Sequence, residues 1–125
     1  MKTYDKELLL KDLCGRVSYN PKFIFGNNVY TLDGIVERVN AEGVWVYCLH
    51  AKGIEPIEIE LCRPYLFPMS SMTEEQHKSF DGVFLPNGHV VASDLGIDYL
   101  NSIHVDYRGL IPMGLALDAT DKDIY

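Results

Sequence analysis

Four residues within five positions carry side chains that acid–base chemistry uses: His104, Asp106, Tyr107 and Arg108 offer a base, an acid, a phenol and a cation. An enzyme needs such groups converged on one cavity, whereas neighbours on a turn point apart. The same spacing has a plainer use, in which Asp106 caps the turn that follows, Tyr107 packs partly inside and Arg108 pairs with a carboxylate. Cys48, His50 and Cys62 are a second set, three ligands of the kind zinc takes. Cys48 and His50 would share a strand face, but a structural site wants a fourth ligand and closely paired spacings. The two cysteines are therefore expected to be small buried residues, with His50 in a turn. Ser70, Ser71 and Thr73 lack the Gly-x-Ser-x-Gly turn of an activated serine and read as helix-capping hydroxyls. There is no phosphate-cradling Gly-x-x-x-x-Gly-Lys, no His-Glu-x-x-His, and no calcium-loop spacing among Asp118, Asp121 and Asp123. No catalytic residue, cofactor or metal is assigned, and an enzyme built on His104, Asp106, Tyr107 and Arg108 stands as the rival reading.

The charge balance narrows the partners. Eleven basic against eighteen acidic residues give a net charge of −7. Lys and Arg are scattered, which argues against nucleic acid and an anionic membrane, and the acidic balance suits a basic protein partner or simply solubility. An acidic inhibitor that mimics nucleic acid is a further reading, resting on net charge. Cys14, Cys48 and Cys62 are odd in number and irregularly spaced, as fits a reducing, cytoplasmic compartment. Asp5, Glu7, Lys11 and Asp12 among the leucines of residues 1–14 predict neither a signal peptide nor a membrane span.

The elements that must position these groups follow from periodicity. At 125 residues with 47% apolar content, a chain can build a core without staples. Tyr4, Leu8, Leu9, Leu13 and Cys14 predict a helix over Thr3–Cys14, supported by the pairs Glu7/Lys11 and Asp12/Arg16 and stopped by Gly15. Between Lys22 and Leu61 the pattern is β: a hairpin about Gly26-Asn27-Asn28, then runs at Ile35–Val39, Val44–Leu49 and Ile54–Leu61. The unbroken run Val44–Leu49 predicts a central strand buried on both faces. Pro56 places the last run at a sheet edge or marks its start, and Ile57, Ile59 and Leu61 should face inward. Thr73-Glu74-Glu75-Gln76 is a capping box that opens a second helix ending near Gly82. Pro86-Asn87-Gly88 reads as a turn between Val83–Leu85 and His89–Ala92, and Ser93 or Asp94 caps a third helix with Leu95, Tyr99, Leu100 and Ile103 on one face. Asp118–Tyr125 is expected to be a frayed polar tail. The expectation is one α+β domain over 1–125, a small antiparallel meander or SH3-like partial barrel over 22–61 with flanking helices, and a helical C-terminal half over 73–117.

Three strings add a context: Arg63-Pro64-Tyr65-Leu66-Phe67-Pro68-Met69-Ser70-Ser71-Met72-Thr73-Glu74-Glu75, Ile97-Asp98-Tyr99-Leu100-Asn101, and Asp106-Tyr107-Arg108-Gly109-Leu110-Ile111-Pro112-Met113-Gly114-Leu115-Ala116. Together they resemble short uncharacterised proteins of anaerobic gut bacteria and their prophages, a likeness covering about Glu60 to Ala119. The resemblance implies a mobile element and brings no activity, ligand or catalytic residue with it. Within the first string, Arg63, Tyr65, Leu66, Phe67 and Met69 have the composition of interfaces, and two prolines would hold them in shape; their other use is to roof the core. The function expected is a non-enzymatic protein-interaction module of a phage, prophage or mobile element. Its partner would be an unidentified protein or a second copy of the chain.

Overall fold

A computed structural model describes residues 2–86 and 89–125 and divides the chain into two compact units, Met1–Pro64 and Tyr65–Tyr125. Its class is α+β, with three α-helices and both mixed and antiparallel sheets among the described residues. In the first unit, α1 spans Thr3–Arg16 and runs through Gly15, where the sequence predicted a stop. Arg16 explains the extension. Its Nε and Nη2 donate to the two carboxylate oxygens of Asp12 at 2.8 and 3.1 Å, and both side chains are fully buried. A bidentate charge-assisted pair outweighs the roughly 1 kcal/mol that a helical glycine costs. A 3-10 turn, Val17–Tyr19, follows, and Asn20 ends it with φ of 52°, a conformation asparagine tolerates better than most residues.

The expected hairpin forms from β1 (Lys22–Phe25) and β2 (Asn28–Thr31), with Phe25 opposite Asn28 and Gly26 at φ 61° in the first loop position. Next come β3 (Gly34–Val39), β4 (Trp45–His50) and β5 (Ile57–Glu58), an antiparallel sheet of order β3-β4-β5. The strand after Pro56 begins at the next residue and lies at a sheet edge, so both placements open to a residue without a donor are met. It is also cut short, because Ile59–Leu61 wind into a 3-10 turn that breaks the alternation. Ile57 and Ile59 stay buried while Leu61 turns outward, 59% exposed. The chain then enters β6 (Arg63–Pro68), whose first two residues pair antiparallel with β1 at Ile24 and Phe23. The strands close no barrel among the described residues.

In the second unit the remainder of β6 takes two parallel neighbours, β9 (Val105–Asp106) opposite Phe67 and Pro68, and β10 (Leu117–Asp118) opposite Tyr65 and Leu66. The capping box forms as expected: Thr73 Oγ1 accepts from the Gln76 N–H, and Gln76 Oε1 accepts from the Thr73 N–H. The helix it opens, α2, covers only Glu74–Ser79. Within this mainly helical half, the segments expected on either side of a turn pair as a hairpin, β7 (Gly82–Phe84) with β8 (Val90–Ala92), before α3 (Asp94–Ser102). Of the expected turn Pro86-Asn87-Gly88, the last two residues lie outside the described residues. Ser93 caps α3, accepting from the Gly96 N–H and donating to Asp81. Met72, Phe80, Leu100 and Val105 form a buried core cluster in this unit. The polar tail is exposed over residues 120–123, as expected, but it is anchored rather than frayed: Ala119 is buried and the Tyr125 hydroxyl donates to the Tyr65 carbonyl at 2.8 Å.

Candidate functional site

The acid–base cluster disperses into separate local contacts. Asp106 is buried, and its two carboxylate oxygens accept from the N–H groups of Leu110 and Ile111, both at 2.9 Å, which is the capping role. The Tyr107 hydroxyl donates to Asn101 Oδ1 at 2.9 Å, and the Arg108 guanidinium lies 4.9 Å from the centre of the Tyr107 ring. His104, at φ 61°, stacks its ring on Tyr125 with centroids 3.8 Å apart. Cys48 and Cys62 are buried, as expected. Burial pushes both thiols up, that of Cys62 to about 12. His50 Nδ1 meets the Asp33 carboxylate at the far end of β4. Among the described residues no group of three or more His, Cys, Asp or Glu is placed to hold a metal.

The proline-framed segment divides between interior and surface. Arg63 is exposed, Phe67 and Met69 are half-buried, and Tyr65 and Leu66 are buried, the latter completely. Tyr65 and Leu66 sit on a strand whose backbone is laddered to β10, so their side chains fill the interior. They are core residues, and the segment is not a continuous apolar surface.

An exposed apolar surface appears where a buried strand was expected. Strand β4 is the centre of its sheet, but only Cys48 and Leu49 are buried; Val44 is 55%, Trp45 67% and Tyr47 43% exposed. Across the ladder, Val39 stands opposite Trp45 and Glu37 opposite Tyr47. Lys6, Glu7 and Leu10 of α1, with Ile59, Glu60 and the Val44–Tyr47 stretch, line a groove of about 230 Å³. The loop that carries Trp45 is tightly built. Asn40 Oδ1 accepts from the N–H groups of Glu42 and Val44, both at 3.0 Å, and Gly43 supplies the positive φ, 79°. A hydrogen bond to Glu37, together with its negative charge, pushes the Tyr47 phenol above its ordinary value. Lys6 Nζ contacts Glu60 Oε2 at 2.9 Å and holds that carboxyl below the usual range. A wider cleft of about 480 Å³, lined by Phe25, Tyr30, Ile54, Pro56, Ile57 and Leu61, is edged by Glu55 and Glu58. Glu58 lines both recesses.

No family model, curated protein or solved structure matches the chain. No helix among the described residues is long and apolar enough to cross a membrane. A functional reading therefore rests on this surface. The sequence did hold a signal for it: Glu37 and Arg38, opposite Tyr47 and Val46, belong to a sheet end that faces water, and the run beside them shares that environment.

Proposed function

We propose that the chain is a non-enzymatic protein-interaction module that works through the Trp45 groove of its first unit. The exposure of Trp45 carries this reading: the single tryptophan stands 67% exposed beside Val44 and Tyr47. Aromatic anchors of this kind dominate binding energies, and a hairpin already held by the Asn40 side chain loses little freedom when a partner docks. Scattered exposed apolar residues need no explanation, whereas a contiguous group lining a groove does. The scaffold we read as an SH3-like partial barrel, supported by the strand orders β6-β1-β2 and β3-β4-β5 and by the 3-10 turn that precedes β6. The resemblance of the second half points to a phage, prophage or similar mobile element as its setting. Asp106 spends both carboxylate oxygens on backbone donors, which weighs against the acid–base alternative.

Photo-crosslinking in the native host tests the proposal. A photoreactive phenylalanine analogue at position 44 is expected to trap a discrete protein, and the same analogue at position 74 on α2 to trap none. Equal yields from the two positions, or no adduct at position 44, would overturn it.

A further inference from the structure

We infer that the Trp45 groove takes a cationic, apolar segment of a different protein. This inference rests on the groove being an interaction surface. The charges around its apolar floor favour such an occupant. Glu7, Glu58 and Glu60 line the groove against one cation, Lys6, and that ammonium is already engaged by Glu60 at 2.9 Å. The cleft that shares Glu58 has Glu55 as its only other charged lining residue among the described residues. An occupant must bring apolar atoms to cover Leu10, Val44 and Ile59, and positive charge to meet Glu7 and Glu58. A lysine or arginine in that segment can also stack on the exposed Trp45 face. Phosphate-bearing partners have the wrong sign. A second copy brings a charge of −7 against −7, so association between copies works against its own field.

Trp45 is the only tryptophan, so its emission reports occupancy of the groove directly. The intact chain is titrated with two short synthetic peptides, one alternating Leu and Lys and the other alternating Leu and Glu, while sedimentation follows self-association. The Leu–Lys peptide is expected to shift the emission saturably, and added salt to weaken it. Glu58→Lys is expected to weaken binding about tenfold, while Glu74→Lys, the same charge change on exposed α2, leaves it within about twofold. Equal binding of the Leu–Glu peptide, or equal affinity of the two variants, would overturn the occupant and leave the groove as an interaction surface. Emission that changes only with the chain's own concentration would assign the groove to a second copy. No response to either peptide and no self-association would overturn the occupant and count against the groove itself.

Discussion

At the scale of single residues, the least expected feature is a charge pair with no exposure. Asp12 and Arg16 have helical i,i+4 spacing that the sequence displays openly, but spacing of this kind is ordinarily a solvated pair worth a few tenths of a kcal/mol. Burial changes the magnitude. Asp12→Ala removes two charge-assisted bonds from a guanidinium enclosed in protein and should cost about 3–5 kcal/mol in chemical denaturation. A loss below about 1 kcal/mol would mean that water reaches the pair. The cysteines are similarly sorted by environment, since the thiolate is the reactive form. Cys14 is exposed, whereas the Cys62 thiol is pushed up to about 12 and the Cys48 thiol is also raised. A thiol reagent should modify one cysteine quickly in the folded chain and the other two only after denaturation. Cys62 is held protonated in the fold, so its contribution is intact below the ordinary thiol value and is lost as pH rises towards about 12. Melting should therefore move to lower temperature above about pH 9, and Cys62→Ala should reduce that alkaline slope.

At the scale of elements, Gly96 shows how tertiary packing can reverse a local rule. Glycine to alanine in a helix ordinarily gains about 1 kcal/mol. Here the added Cβ would lie 2.2 Å from the Asp81 carbonyl oxygen and 3.0 Å from the Ala92 Cβ, and the backbone atom cannot swing aside. Gly96→Ala should therefore destabilise by roughly 1–3 kcal/mol in thermal melting, and a rise in melting temperature would show that Asp81 does not approach α3 this closely. The elements legible from sequence were those defined by neighbours in the chain: the Thr73 capping box, the hairpin at Gly26, the Ser93 cap and the edge strand after Pro56. Less legible were features decided at a distance. Gly15 reads locally as a helix end because the burial of Arg16 is not a local property. Leu61 reads as inward because nothing nearby announces the 3-10 turn. For Tyr65 and Leu66 the local sequence leaves core and surface both open, because what decides between them, the parallel partner β10, lies some fifty residues further along the chain.

At the scale of the whole molecule, composition and surface point the same way. The net charge of −7 suits solubility and would equally suit the basic partner proposed, and the groove beside Trp45 is edged by carboxylates. Sequence alone did not place that groove, because Val44–Leu49 has the same composition whether a strand is buried on two faces or uncovered at one end. The most direct measurement is the affinity of the chain for the protein trapped at position 44, compared among wild type, Trp45→Ala and Leu95→Ala. Leu95, in α3, is 77% exposed and serves as an equally wet apolar control from the other unit. Loss of an anchor typically costs about 2 kcal/mol or more, so Trp45→Ala should weaken binding about thirtyfold without lowering the melting temperature. Leu95→Ala should bind like wild type. Equal affinity for all three chains, or a Trp45→Ala chain that melts early because Trp45 belongs to the core, would contradict an interaction surface at Trp45.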